Sequence, residues 1–185
     1  MTAPAEPARQ AAADRAPVPV SIGHVAVLTP DLDRFRAFYE DVIGLRTAVV
    51  LRMTEPPGYR HALLSVTDTS LLHAVEVPGY DPVAEGLDHG LGRRGRLDHL
   101  AFHVADADDL AAVRDRLVAV GASDGTVTSH GTLLSVFFRD PDGLEAEVTT
   151  ANPDWDPSRD THDELLEEPD PTLYARLVAA TVAGK

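Results

Sequence analysis

One stretch of this chain is written twice. IGHVAVLTPDLDRFRAFYEDVIGL, beginning at Ile22, aligns with LDHLAFHVADADDLAAVRDRLVAV, beginning at Leu97, and places His24 on His99 and Asp31 on Asp106, both pairs 75 positions apart. Each copy reads as a strand, a short turn and an amphipathic helix. Leu32, Phe35, Phe38, Tyr39 and Val42 recur at helical spacing in the first copy, and Leu110, Val113, Leu117 and Val120 in the second, with Asp31 and Asp106 as N-caps. Three strand candidates follow each helix: Thr47–Met53, Arg60–Val66 and Ser70–Val77, then Thr126–Ser129, Leu133–Phe138 and Leu144–Thr149, the last two separated by the turn Asp140-Pro141-Asp142-Gly143. The expectation is an α+β fold made of two tandem βαβββ modules, residues 21–77 and 96–150, joined by a Gly/Pro-rich linker over 78–95.

The ends differ from this middle. Residues 1–20 are rich in Ala and Pro without apolar periodicity and lack the basic and apolar regions of a signal peptide, so they read as a flexible leader. Residues 151–185 read as an acidic segment and a C-terminal helix. The stretch Asn152–Asp170 holds eight acids and one Arg, half of the chain's net charge of −14, which is the composition of a solvated face. Leu173, Leu177 and Val178 then recur at helical spacing behind Pro171. With 30 acidic against 16 basic side chains, binding to nucleic acid or anionic lipid is disfavoured, because both rest on Lys and Arg. No apolar run reaches membrane-spanning length and no targeting feature is visible, so the expected location is the cytoplasm. The absence of cysteine removes disulfides, thiolate metal sites and thiol nucleophiles, leaving His and carboxylates as metal ligands.

Strand parity then sorts the side chains. His24 and Ala26 face away from Val25 and Val27. His99, Ala101 and His103 face away from Leu100, Phe102 and Val104. Glu145 and Glu147 face away from Leu144, Ala146 and Val148. Helices pack on the apolar faces, so the His and Glu residues line the other side, and His73 is assigned there too. A single His is more often a hydrogen-bonded structural residue than a ligand. Two His at equivalent points of a repeat, with a carboxylate in the closing strand, instead form a two-His-one-carboxylate set suited to Fe(II) or Mn(II). Parity does not choose between Glu145 and Glu147.

These residues resemble the vicinal oxygen chelate superfamily, the paired-βαβββ fold of glyoxalases, epimerases, fosfomycin and bleomycin resistance proteins and extradiol dioxygenases. The resemblance covers about residues 21–150 and rests on GHVAV, LDHLAFHV and FFRDPDGLEAEV. It implies a metal held by His24, His99 and Glu147, the family glutamate standing four residues after the turn glycine. It puts His73 where glyoxalases and methylmalonyl epimerases carry Glu or Gln. A His there, and His130 ahead of Val136, Asp140-Pro141-Asp142-Gly143 and Glu147, resemble small extradiol catechol dioxygenases, with Phe137 where Tyr is expected.

The resemblance therefore implies cleavage of a catechol-type diol by O2 at Fe(II), or Mn(II), with His73 as acid/base and His130 donating a hydrogen bond to a substrate oxygen. It also implies a homodimer. A metal-dependent isomerase or epimerase using His73 as fourth ligand, and a metal-free binding protein of the resistance type, are the other readings. His103 reads as a pocket wall, and His61, His89 and His162 as structural or exposed. Arg52, Arg60, Arg93, Arg94 and Arg96 are candidates to hold an acidic substituent, though each is more ordinary as a surface Arg.

Overall fold

In the computed structural model, which describes residues 21–54, 57–82, 97–155 and 172, each copy of the repeat builds one four-stranded sheet. The first comprises β1 (His24–Thr29), β2 (Arg46–Arg52), β3 (Arg60–Ser65) and β4 (Leu71–Glu76), in the order β1-β4-β3-β2. The second comprises β5 (Leu100–His103), β6 (Val127–Ser129), β7 (Leu133–Arg139) and β8 (Glu145–Ala151), in the order β5-β8-β7-β6. In both, the first strand pairs in parallel with the last, a connection that requires a crossover, and the helix supplies it: α1 (Leu32–Phe38) after β1 and α2 (Ala107–Ala119) after β5. The result is the expected α+β fold, as two separately hydrogen-bonded sheets. The leader, residues 83–95 of the linker and, apart from Thr172, the C-terminal helix lie outside the described residues. Among the described residues no helix is long and apolar enough to cross a membrane.

Both helices start where the aspartates cap them. Asp31 Oδ1 accepts from Arg34 N at 3.0 Å and Asp106 Oδ1 from Asp109 N at 2.9 Å, satisfying amides that the helix leaves without a partner. Beyond Phe38 the first helix widens into a π-helical turn over Tyr39–Ile43, closed by Gly44 N donating to Tyr39 O at 3.0 Å. Gly44 ends it at φ 96°, a conformation that disfavours any residue with a Cβ.

Leu32, Phe35 and Tyr39 pack on Ala62, Leu64, Leu72 and Ala74 of the first sheet. Leu110, Val113 and Leu117 pack on Val136, Phe138, Ala146 and Val148 of the second, and Val42 of the π turn joins this second cluster. Phe38, Ile43, Leu100 and Phe102 touch both clusters, so the two apolar layers meet. Polar links reinforce the joint: Arg116 Nε donates to Val42 O at 2.7 Å, Tyr39 Oη donates to Asp140 Oδ2 at 3.1 Å, and Arg34 pairs with Asp142.

Three details depart from the sequence reading. Val120 is the C-terminal cap of α2 and is 57% exposed, because the helix ends one residue before it. The strand expected from Leu97 begins at Leu100, so His99 sits on the approach to β5 and not within it. Arg60 is not free to hold a substrate. Its Nε and Nη2 donate to Glu76 at 2.7 and 2.6 Å and its Nη1 to Asp33 at 3.0 Å, on the helix-covered face.

Glu76 also accepts from Leu32 N at 3.0 Å, tying the end of β4 to the first residue of α1. The Arg60 hydrogen bonds hold its carboxyl below the usual carboxylate range. Glu76→Gln is therefore expected to lower unfolding stability by about 1–2 kcal/mol at neutral pH. The wild-type advantage, measured by denaturant titration, shrinks as pH falls through the lowered Glu76 pKa.

Candidate metal centre

The register of the first sheet places three imidazoles across three adjacent strands. His24 in β1 is paired with Leu71, one step diagonal to His73, which sits beside Ala26. The His24 and His73 rings meet edge-on with centroids 5.7 Å apart. Across the antiparallel β3–β4 pair, Leu63 faces His73 and Val75 faces His61, so the two His are diagonal neighbours. His61 Nδ1 and His73 Nε2 are 2.9 Å apart. Burial first, and then the proximity of His61 and His24, push the His73 pKa down, which favours a neutral ring.

The second sheet gathers a different pair. Glu147 in β8 lies between Ala101 of β5 and Phe137 of β7 and is buried. Its Oε2 is 3.2 Å from His99 Nε2. Its Oε1 accepts from Ser135, whose hydroxyl also lies 3.2 Å from Thr149 Oγ1. The other His99 nitrogen, Nδ1, is 2.8 Å from Asp98 Oδ2. The Phe137 ring stands edge-on to His99 at 5.8 Å and to His130 at 5.9 Å, so His130 is brought next to this pair. Glu145, the alternative ligand, is instead paired with Arg139 at 3.7 Å.

The donor chemistry of the second sheet fits a divalent first-row metal. An imidazole nitrogen and a carboxylate oxygen converge, the far imidazole nitrogen is held by a carboxylate, and the second carboxylate oxygen is held by a hydroxyl. His24, the third expected ligand, stands with His73 on the first sheet. Among the described residues no group of three or more His, Asp or Glu is placed to hold a metal.

Several residues had gone unnoticed in the sequence. Asp98 carries a signal in being adjacent to His99, and Ser135 in sharing strand parity with Phe137. His61, read as structural or exposed, joins His73 on its open face. His103 is exposed at the end of β5, and Arg52 is exposed at the end of β2. His89, His162, Arg93, Arg94 and Arg96 lie outside the described residues.

Behind the second sheet, the Asp140–Gly143 turn holds the start of β8. Asp140 Oδ1 accepts from Asp142 N at 2.9 Å and from Leu144 N at 3.0 Å. Burial pushes the Asp140 pKa up to about 6. A folded-state pKa above the unfolded one means that the folded protein binds the extra proton between roughly pH 4 and 6. Relative to Asp140→Asn, whose amide carries no charge, the wild type should gain up to about 3 kcal/mol as pH falls through that window. Paired denaturation curves at pH 7 and pH 4.5 capture about 2 kcal/mol of that gain. Nearer the site, Ser135→Ala is expected to weaken metal retention about tenfold and His99→Ala or Glu147→Ala to abolish it, as read by metal content after gel filtration.

Comparison with known proteins agrees with this architecture. A family model described as Glyoxalase/Bleomycin resistance protein/Dioxygenase superfamily matches residues 21–148. A lactoylglutathione lyase of Haemophilus influenzae is 32% identical over 136 residues, covering 69% of this chain and 90% of the relative. A biphenyl-2,3-diol 1,2-dioxygenase of Metapseudomonas furukawaii is 26% identical over 128 residues, covering 68% of this chain but only 39% of that protein. Among solved structures, a glyoxylase/bleomycin resistance protein/dioxygenase domain from Frankia sp. EAN1pec superposes with a TM-score of 0.60 at 23% identity, over 73% of this chain and 100% of that one, a likeness of fold. With the paired sheets, the duplicated motif and a family match over most of its length, the chain belongs to the glyoxalase, bleomycin resistance protein and dioxygenase superfamily.

Proposed function

We propose that this protein is a metal-dependent extradiol dioxygenase that opens a catechol-type ring with O2. The observation that carries the reading is His73: the last strand of the first sheet presents an imidazole, hydrogen-bonded to His61 and kept neutral by its surroundings, where a carboxylate or amide would favour isomerisation. His24, His99 and Glu147 would hold the ion, Fe(II) or Mn(II), with Asp98 and Ser135 fixing His99 and Glu147. When bound, the metal supplies Lewis acidity and a template for vicinal oxygens and O2. His73 takes the proton of a substrate hydroxyl, the role for which a neutral imidazole is suited. His130 donates a hydrogen bond to a substrate oxygen, and Phe137, seated against both His99 and His130, supplies an apolar edge for a flat ring.

The ligands divide into His24 on one sheet and His99 with Glu147 on the other, and this supports a homodimer in which each centre draws on two copies. Ile22 and Leu97, just before the two first strands, are 70% and 49% exposed, an apolar surface for a partner copy to cover. Co-refolding equal amounts of His24→Ala and Glu147→Ala chains should then restore about a quarter of the wild-type metal sites, since each mixed dimer rebuilds one centre. Centres contained within single chains would restore none.

The direct test is oxygen uptake by anaerobically Fe(II)-loaded protein with a panel of catechols. Uptake coupled to a yellow ring-opened product is expected. No uptake at stoichiometric metal overturns the proposal in favour of isomerisation, the reading favoured by the 32% identity to a lactoylglutathione lyase. In that case His73 is a fourth ligand and His73→Ala loses the metal. In the extradiol reading His73→Ala keeps the metal and loses turnover.

A further inference from the structure

His130 sits at the tip of the β6–β7 hairpin and is exposed. Beyond the edge-on contact with Phe137 at 5.9 Å, the turn beneath the ring sets where it points. His130 N donates to Leu133 O at 2.8 Å, which leaves Gly131 and Thr132 as a two-residue turn with Gly131 at φ 69°. Asn152, the residue after β8, closes on this turn from the neighbouring strand. Its backbone N donates to Thr132 O at 2.9 Å, and its Nδ2 donates to Gly131 O at 2.8 Å and to Ser129 Oγ at 3.4 Å. Its Oδ1 accepts from Asp154 N at 3.1 Å. These partners fix the orientation of the amide, since a backbone N–H can only donate and a backbone carbonyl can only accept.

We infer that Asn152 is a positioning residue: by bonding to both turn carbonyls it holds His130 where the imidazole can donate to a substrate oxygen. This deepens the extradiol reading and rests on it for the role of His130. β8 carries Glu147 five residues before Asn152, so the carboxylate of the candidate centre and the hairpin tip that bears His130 are referenced to one strand. Asp154 N already orders the Asn152 amide, and its bond to Gly131 O costs little further side-chain freedom. A misplacement of about 1 Å at a group that touches substrate can cost on the order of a hundredfold in rate. His99 and Glu147 are held by Asp98 and Ser135 instead, so loss of the tether leaves them in place.

The experiment reads the His130 ring and not only rates. Asn152→Asp keeps the size of the side chain and an oxygen for Asp154 N, but sets a carboxylate oxygen against Gly131 O. Asn152→Ala removes the contact without adding charge, and serves where the charged variant does not fold. In aromatic 1H–13C spectra of the metal-free protein, with His130 assigned by its loss in His130→Ala, the wild type should show Overhauser contacts between the His130 and Phe137 rings. Both Asn152 variants should lose those contacts and shift the His130 signals, with metal retention within twofold of the wild type. With a catechol that the wild type turns over, kcat should fall about tenfold or more in each. Asn152→Ala combined with His130→Ala should be no slower than His130→Ala alone, because nothing is left to position, whereas a merely structural loss would add to it. Unchanged His130 signals in the Asn152 variants, or losses that add in the double variant, overturn the inference. Displaced His130 signals without catechol turnover by any preparation overturn the extradiol reading and leave the tether supported.

Discussion

Parallel pairing between the first and last strand of each half governs what this chain can do. An antiparallel hairpin brings together residues close in sequence, whereas a parallel pair joins the two ends of a module. Here it sets His24 beside the strand of His73, 49 positions later, and His99 beside that of Glu147, 48 positions later. The crossover needed to make the pairing possible is the helix, and the helix has to lie on the apolar face. His24, His73 and Glu147 of the same strands are left on the open face, so the constraint that builds the core also gathers the residues of the candidate site.

The two halves are similar in plan and unequal in detail. Positions 75 apart bury at corresponding depths in Phe35 and Leu110, each in the core of its own half, but Val42 and Leu117 bury in one and the same cluster. The π turn redirects Val42 across the joint, and Tyr39 extends the crossing with its bond to Asp140. Asp140 in turn accepts the amides of the turn that starts β8, two residues upstream of Glu147. A line of contacts thus runs from the first helix to the carboxylate of the candidate centre.

The repeat made most of this legible in the sequence. Asp31 and Asp106 cap helices because both the residue type and the duplicated spacing demand it, and alternation in β8 is enough to separate Ala146 and Val148 from Glu145 and Glu147. What alternation cannot supply is the partner of a side chain across strands. Ser135 is one of many serines until the register of β7 against β8 puts it beside Thr149 and within reach of Glu147. His61 has no echo in the second half, so the duplicated pattern gives it no weight; only the diagonal to His73 does. Arg60 failed in the opposite sense, since a basic residue near an expected cleft is attractive until strand parity turns it toward Glu76. The π turn was hidden because Tyr39 and Val42 fit an ordinary helical stripe.

That turn has a bearing on how such a duplicated chain can change over time. Two identical halves could exchange places, and either could drift while the other kept the fold. Here each half reaches into the other, Val42 into the second cluster and Leu100 and Phe102 against the first, so a change in either half is felt at the shared joint. The repeat supplies two sheets, and because residues of both halves fill the joint between them, each open face is free to differ from the other only so long as that shared apolar joint is kept.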